Sequence, residues 1–264
     1  MKTMLYGQPP LPFVGNKRNW RKELINVINK IPNNKKYLYV DVFGGSGFIS
    51  HLISWLKPNN KVIWNDYDNY QERLNNIDVT NQIINEIRAS IDTYIRNRKL
   101  TPREKATIMY IIDKHIKKGD FIDYVTLGAN LLFNSSFICD VDMRDCLEKK
   151  IFYNTIVKKE YNADNYFNTN VYRIVGDYKE ILKKYNSNNT IFFLDPPYFN
   201  TDEVVHYNDN FMSLSEYLDF CDLIKDLKYV LFGSEKGCFL DIMKKIDNNY
   251  KITELIQKKT IYYL

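Results

Sequence analysis

No apolar run in this 264-residue chain approaches the length of a membrane-spanning helix, so no transmembrane segment is expected. Met1 to Pro12 is polar and proline-rich and lacks the apolar stretch of a secretory signal, so no signal peptide is expected. The four cysteines, Cys139, Cys146, Cys221 and Cys238, include no C-x-x-C pair, and only His51, His115 and His206 accompany them. That argues against a zinc site and predicts reduced, packed thiols in a cytoplasmic protein without metal. None of the histidines falls in a triad or metal pattern, and they read as incidental. Internal repeats and long low-complexity linkers are absent as well. Neither a full G-x-G-x-x-G nor a Gly-Lys-Ser/Thr ending occurs at the glycine-rich turn of residues 43–47. Dinucleotide and nucleoside-triphosphate chemistry therefore have no signature here.

What is present suits one large α/β domain, or a core domain carrying a smaller insertion. The net charge of +5 is compatible with a polyanionic partner. The lysine pairs are scattered, and each by itself reads as solvated surface. Residues 18–31 carry apolar side chains at helical spacing and end at Pro32. Tyr37 to Val42 reads as a strand, Phe43 to Gly47 as a turn, Phe48 to Leu56 as a helix, and Val62 to Asp66 as a second strand. This β-turn-α-β unit opens a parallel sheet. Residues 68–135 read as helical, with Thr101 as N-cap and Pro102 at the first helical position. Strands are predicted over 171–175, 191–194, 229–232, 252–256 and 260–264. Helices are predicted from Asp177 to Tyr185, over 215–227 and over 237–246. Residues 1–67 with 171–264 are thus expected to form a catalytic domain, and 68–170 a mainly helical insertion.

Chemistry concentrates at the strand ends. Ile191 to Leu194 leads into Asp195-Pro196-Pro197-Tyr198. Both prolines lack an N–H, which leaves the Asp195 carboxylate and the Pro196 carbonyl as acceptors with few local donors. Such a tip suits an –NH2 group, and Tyr198 offers a face on which a base can stack. Glycines in the turn after the first strand allow a ligand close to the backbone. Asp66, about 20 residues beyond such a turn, stands where a ribose diol is usually bound; an N-cap for the following helix is the competing reading. Asp177-Tyr178 repeats the pattern, an acceptor beside an aromatic. A nucleoside-bearing cofactor that needs no phosphate contacts fits these features.

Together these pieces resemble the Dam-type, D12 class N6-adenine DNA methyltransferases. The resemblance is carried by Phe13-Val14-Gly15-Asn16-Lys17, by Asp41-Val42-Phe43-Gly44-Gly45-Ser46-Gly47, by Asp66, by Asp177-Tyr178 and by Asp195-Pro196-Pro197-Tyr198, in the family's order. It implies a Rossmann-like α/β fold with an inserted, mainly helical target-recognition domain. It implies S-adenosyl-L-methionine as cofactor, held by Phe13, Lys17, Asp41, Phe43, Gly44, Gly45, Gly47, Asp66, Asp177, Tyr178 and Asp195. Lys17 is open between the methionine carboxylate and the target base. The catalytic group would be Asp195, Pro196, Pro197 and Tyr198, transferring a methyl group to N6 of an adenine flipped out of DNA. An RNA adenine, or a non-catalytic fold that binds nucleic acid or a partner protein, are the alternatives. Where GATC-reading members carry a basic hairpin, this chain has Asp140, Asp142 and Arg144, so no target sequence is assigned. Target choice is expected between Thr101 and Asn170, with Arg144 reading a base and Arg103, Lys117 and Lys118 as further nucleic-acid contacts. The sequence assigns no oligomeric state.

Overall fold

A computed structural model describes residues 5–91, 95–133, 143–197, 212–233 and 260–263, the last four as backbone. The chain divides into two compact units. The first comprises Met1–Pro9, Gly15–Tyr70 and Asn165–Leu264, the second Pro10–Val14 and Gln71–Asp164.

The first unit is built on a sheet of β1 (Leu38–Asp41), β2 (Lys61–Asn65), β3 (Val171–Ile174), β4 (Thr190–Leu194), β5 (Tyr229–Gly233) and β6 (Thr260–Tyr263). Its order is β3-β2-β1-β4-β5-β6. All pairings are parallel except that of β5 with β6. In sequence, β1 is followed by α2 (Phe48–Leu56), β3 by α8 (Tyr178–Lys184) and β4 by α9 (Leu214–Ile224), while α1 (Arg21–Lys30) precedes β1.

The strands are apolar at successive positions because both faces of the sheet are covered. Tyr39, Val62, Phe193, Val230 and Phe232 pack into a core with Leu24, Ile28, Leu52 and Ile53 of α1 and α2. Their neighbours Val40, Ile63, Phe192 and Leu231 pack into a second core with Ile181, Leu182, Phe220 and Ile224 of α8 and α9. The two-residue period of a strand sends alternate side chains to the two helical layers. The strand order reverses at β1, between β2 and β4, so the carboxyl ends of β1 and β4 flank the sheet's switch point. Open α/β sheets bind ligands there.

The second unit contains α4 (Ile77–Ala89), α5 (Pro102–Lys118), α6 (Tyr124–Leu131) and α7 (Met143–Lys149); the chain crosses between the units within α3 (Tyr70–Asn75). Ile83, Ile84 and Ile87 of α4 meet Ile108, Ile112, Leu127, Leu131 and Leu147 in one core. α5 starts at the expected place with a full capping box: Thr101 Oγ1 accepts from the Glu104 N–H, and the Glu104 carboxylate accepts from the Thr101 N–H. The 68–135 stretch is not helical throughout. Asn97 adopts a positive φ of 60°, and residues 97–100 exchange backbone hydrogen bonds with Phe152 and Asn154 instead. Cys221 is a free, buried thiol. Cys146 is disulfide-bonded, which departs from the expectation that all four are reduced. The helix predicted over 237–246 and the strand over 252–256 also lie outside the described residues.

A buried ion pair holds the start of α6. Arg73 Nε reaches both carboxylate oxygens of Asp123 at 3.0 and 3.1 Å, and its Nη2 donates to the Pro12 carbonyl and to Thr126 Oγ1. Asp123 is also the N-cap of α6, accepting from the Thr126 N–H and hydroxyl. Asp123→Ala should therefore destabilise this unit by about 3–5 kcal/mol, since it leaves a buried guanidinium unpaired. Denaturant unfolding measures this, and a loss below about 1 kcal/mol would show that the pair contributes little.

Candidate active site

Asp41 ends β1 with its side chain fully buried. Its Oδ2 accepts from the Ser50 N–H at 3.1 Å and from Ser50 Oγ at 2.8 Å. Ser50 is the third residue of α2, whose own N-cap, Gly47, offers no side chain. Asp41 thus caps α2 from the neighbouring strand, satisfying one of the helix's orphan donors. The other oxygen, Oδ1, is buried without a hydrogen-bond partner. Burial raises this carboxyl to about 7, and the charge of Asp195 adds to the rise; the Ser50 bonds and Lys17 act the other way.

The turn after β1 is forced to be glycine at two positions. A Cβ on Gly44 would fall inside the Trp64 indole and 2.8 Å from the Asn65 carbonyl oxygen. Gly47 has a φ of 68° and lies against the Phe167 ring.

Asn65, at the end of β2, ties three strand tips together. Its Nδ2 donates to the carbonyls of Val42 and Gly176, and its Oδ1 accepts from the Gly176 N–H. The sequence reading passed over it, although an amide ending an apolar strand is a signal, because a buried amide needs partners. Asp66 follows and is fully buried, not exposed as a strand tip was expected to be. Its oxygens accept from the Tyr70 N–H, at the start of α3, and from Arg173 Nε, each at 2.6 Å. Asp66 thus bonds the first N–H of α3 from four residues before it, and is not the N-cap of that helix.

Asp177 is exposed and caps α8, accepting from the Lys179 N–H at 2.8 Å. The Tyr178 ring lies 5.4 Å from Phe43 and 5.9 Å from Phe220, forming an aromatic patch beside the turn.

At the end of β4, Asp195 forms an ion pair with Lys17, and both side chains are largely buried. Lys17 Nζ also donates to the Gly15 carbonyl at 2.9 Å. The expectation of an acid with few local donors is corrected: a buried ammonium stands beside it. Pro196 is buried and Pro197 half-buried, while Tyr198 lies outside the described residues. Lys17, Asp41 and Asp195 are thus within electrostatic reach of one another, in the switch-point crevice. That cluster is long-range in sequence, and the strand-tip motifs together with the amino-terminal Phe13–Lys17 motif pointed to it.

Phe13 belongs to the second unit, as do the four expected nucleic-acid contacts. Arg103, Lys117 and Lys118 are exposed on α5, Lys118 pairing with Asp120 at 3.1 Å. Arg144 is committed differently. Its guanidinium forks onto both oxygens of Asp113 at 2.8 Å and also reaches Glu148. Reading a base with Arg144 would require breaking that fork.

The histidines are not incidental. His115 is buried beside Asp120 and Glu86. His51 is stacked on Tyr166 at 4.7 Å and 7°; its Nε2 accepts from the Tyr6 N–H, and Nδ1 meets the Tyr166 carbonyl. His206 lies outside the described residues. Among the described residues no cluster of His, Cys, Asp or Glu could hold a metal ion, and no helix is long and apolar enough to cross a membrane.

The D12 class N6 adenine-specific DNA methyltransferase family model matches residues 13–264. The chain belongs to that family. It is also 32% identical over 260 residues to a Haemophilus influenzae protein named "Putative methyltransferase", covering 93% of this chain and 86% of that one. Membership makes the chain a methyltransferase, and the parallel sheet with its glycine turn is consistent with a methyltransferase fold.

The buried site groups set opposing pH dependences. His51 titrates near 4, lowered from 6.5 chiefly by burial. Its contribution is fully present above 6.5 and is lost as pH falls toward 4. Asp41, raised from 3.8 to about 7, binds its proton more tightly folded than unfolded, so it costs stability increasingly as pH rises from about 4 to 7. Asp41→Asn should therefore gain on the parent by roughly 2–4 kcal/mol between pH 4 and 8. Urea unfolding at stepped pH measures the difference; a constant offset would contradict the raised carboxyl.

Proposed function

We propose that this chain transfers a methyl group from S-adenosyl-L-methionine to N6 of adenine in DNA, as a site-specific adenine methyltransferase. The observation that carries this reading is the pairing of Asp195 with Lys17 at the tip of β4, beside the glycine turn and the half-satisfied carboxylate of Asp41. The residues fit a cationic nucleoside cofactor. The glycine turn is closed to side chains, and the buried Asp41 Oδ1 lacks a hydrogen-bond donor. Asp41 and Lys17 would hold the amino-acid end. The family's motif assigns Asp66 to the ribose hydroxyls. Phe43 and Tyr178 would flank the adenine moiety, next to Asp177. Phe13 is assigned to the same site by the family's motif.

When bound, S-adenosylmethionine supplies an electrophilic methyl group on a sulfonium. The protein's task is to make the exocyclic amine of adenine nucleophilic and to aim it. That amine's lone pair is conjugated into the ring. Hydrogen bonds from N6–H to the Asp195 carboxylate and the Pro196 carbonyl localise it. Lys17 pairs with Asp195, and a carboxylate can accept from the ammonium and the amine together. As the carbon–nitrogen bond forms and the methyl–sulfur bond breaks, the N6 proton bonded to Asp195 would pass to that carboxylate. Positioning supplies much of the rest. The base must leave the stack to reach this crevice, and Tyr198 is assigned the stacking face on sequence alone.

The second unit is assigned to target recognition. The solvent face of α5 presents Arg103, Tyr110, Lys114 and Lys117, a basic stripe of the kind that follows phosphates. Arg144 is the weakest of the expected contacts, because its donors are already engaged.

Incubating the protein with duplex DNA and S-adenosylmethionine should yield N6-methyladenine by mass spectrometry. Asp195→Asn should lower turnover by at least about a hundredfold, since the amide turns a donor toward the amine. Turnover within about tenfold of the parent would remove Asp195 from this role. Methylation of RNA but not DNA would move the reading to the other polynucleotide.

A further inference from the structure

The glycine turn is not self-locking. Glycine admits both signs of φ, so the Ser46–Gly47 peptide can flip unless something holds it. One end is held within the turn, where the Gly47 N–H donates to the Gly44 carbonyl at 2.7 Å. The other end is held from far away in sequence. The hydroxyl of Tyr166 donates to the Ser46 carbonyl at 3.1 Å in a buried setting. Phe167 lies against Gly47 and packs at a tilt of 38° on Trp64 with ring centroids 4.5 Å apart, and Trp64 in turn closes the space at Gly44.

Tyr166 is itself fixed. Its ring lies parallel to His51, its carbonyl accepts from Trp55 Nε1 at 3.4 Å, and Tyr6 packs edge-on against it. Asn165 just before it has a positive φ of 56°, a conformation that asparagine tolerates better than most residues. The residues that follow continue along α2. Asn168 Nδ2 donates to the Ser54 carbonyl, and Asn170 Nδ2 to the carbonyls of Lys57 and Asn60. Tyr166 and Phe167 thus meet the turn, whereas Asn168 and Asn170 bond the far end of the helix.

We infer that Tyr166 and Phe167 are positioning residues for the cofactor turn, clamping the Ser46–Gly47 peptide in its binding conformation. This rests on the proposed cofactor reading and deepens it. The residues are the second and third of the first unit after the chain returns from the second. The state of the cofactor turn is thereby tied covalently to the segment that leaves the recognition unit.

The test is the affinity of the full-length, DNA-free protein for S-adenosylmethionine by calorimetry, together with steady-state kinetics on duplex DNA. Tyr166→Phe keeps the stacking on His51 and removes one hydroxyl; it should weaken cofactor binding about 3- to 10-fold. Phe167→Leu should weaken it similarly. The KM for the cofactor should rise while kcat at saturation and the KM for DNA stay within about twofold of the parent. Asn170→Ala removes bonds of the same segment at the far end of α2 and should leave the cofactor affinity unchanged, whatever it does to the unfolding midpoint. If Tyr166→Phe and Phe167→Leu both bind like the parent, or Asn170→Ala weakens binding as much as they do, the positioning role is wrong. If the parent itself does not bind S-adenosylmethionine, the cofactor reading fails first.

Discussion

A carboxylate buried at the end of the central strand organises this site. Asp41 sits where β1 meets its glycine turn, and one of its oxygens caps α2 through Ser50. That bond fixes the helix's first turn relative to the strand and so defines the loop between them. The second oxygen has no hydrogen-bond donor, which is costly for a buried polar atom. Such strain is commonly kept at sites that bind something. The nearby Lys17–Asp195 pair does not compensate, because the charge of Asp195 opposes ionisation of Asp41 more than Lys17 favours it. The arrangement is one that a cationic ligand would complete.

Around that carboxylate the strand tips are braced by side chains that touch no reacting atom. Asn65 links the ends of β1, β2 and β3. Arg173 on β3 and the start of α3 both lean on Asp66. His51 and Tyr166 stack beneath the helix that follows the turn. The rigidity of the crevice thus comes from hydrogen bonds between backbone and buried amide, imidazole and carboxylate groups. Catalysis by positioning requires such a frame, because small displacements of the reacting groups cost rate.

The sequence carried the parts of this picture that are local. The run into Asp195-Pro196-Pro197, the glycine turn and the Thr101 cap are each written in a few neighbouring residues. The structure places their elements where the pattern predicts. What could not be read are contacts between distant residues. Arg144 looks like a free base reader until Asp113 appears beside it. Asp66 looks exposed until Arg173 covers it. His51 looks incidental because its partners, Tyr6 and Tyr166, lie 45 and 115 residues away. Charged and aromatic residues at strand tips signal chemistry in sequence, whereas their burial and protonation depend on packing that no local pattern encodes.

The central claim is that the empty side of the Asp41 carboxylate is the seat of a cofactor cation. Calorimetric titration of S-adenosylmethionine into the DNA-free protein near pH 6.5, in buffers of different ionisation enthalpy, counts the protons exchanged on binding. A carboxyl that titrates near 7 when free and is ionised by a bound cation must give up its proton. The account therefore predicts a net release of about half to one proton, tighter binding as the pH rises toward 8, and no release from Asp41→Asn. Binding with no proton exchanged in any buffer, or no binding at all, would contradict it.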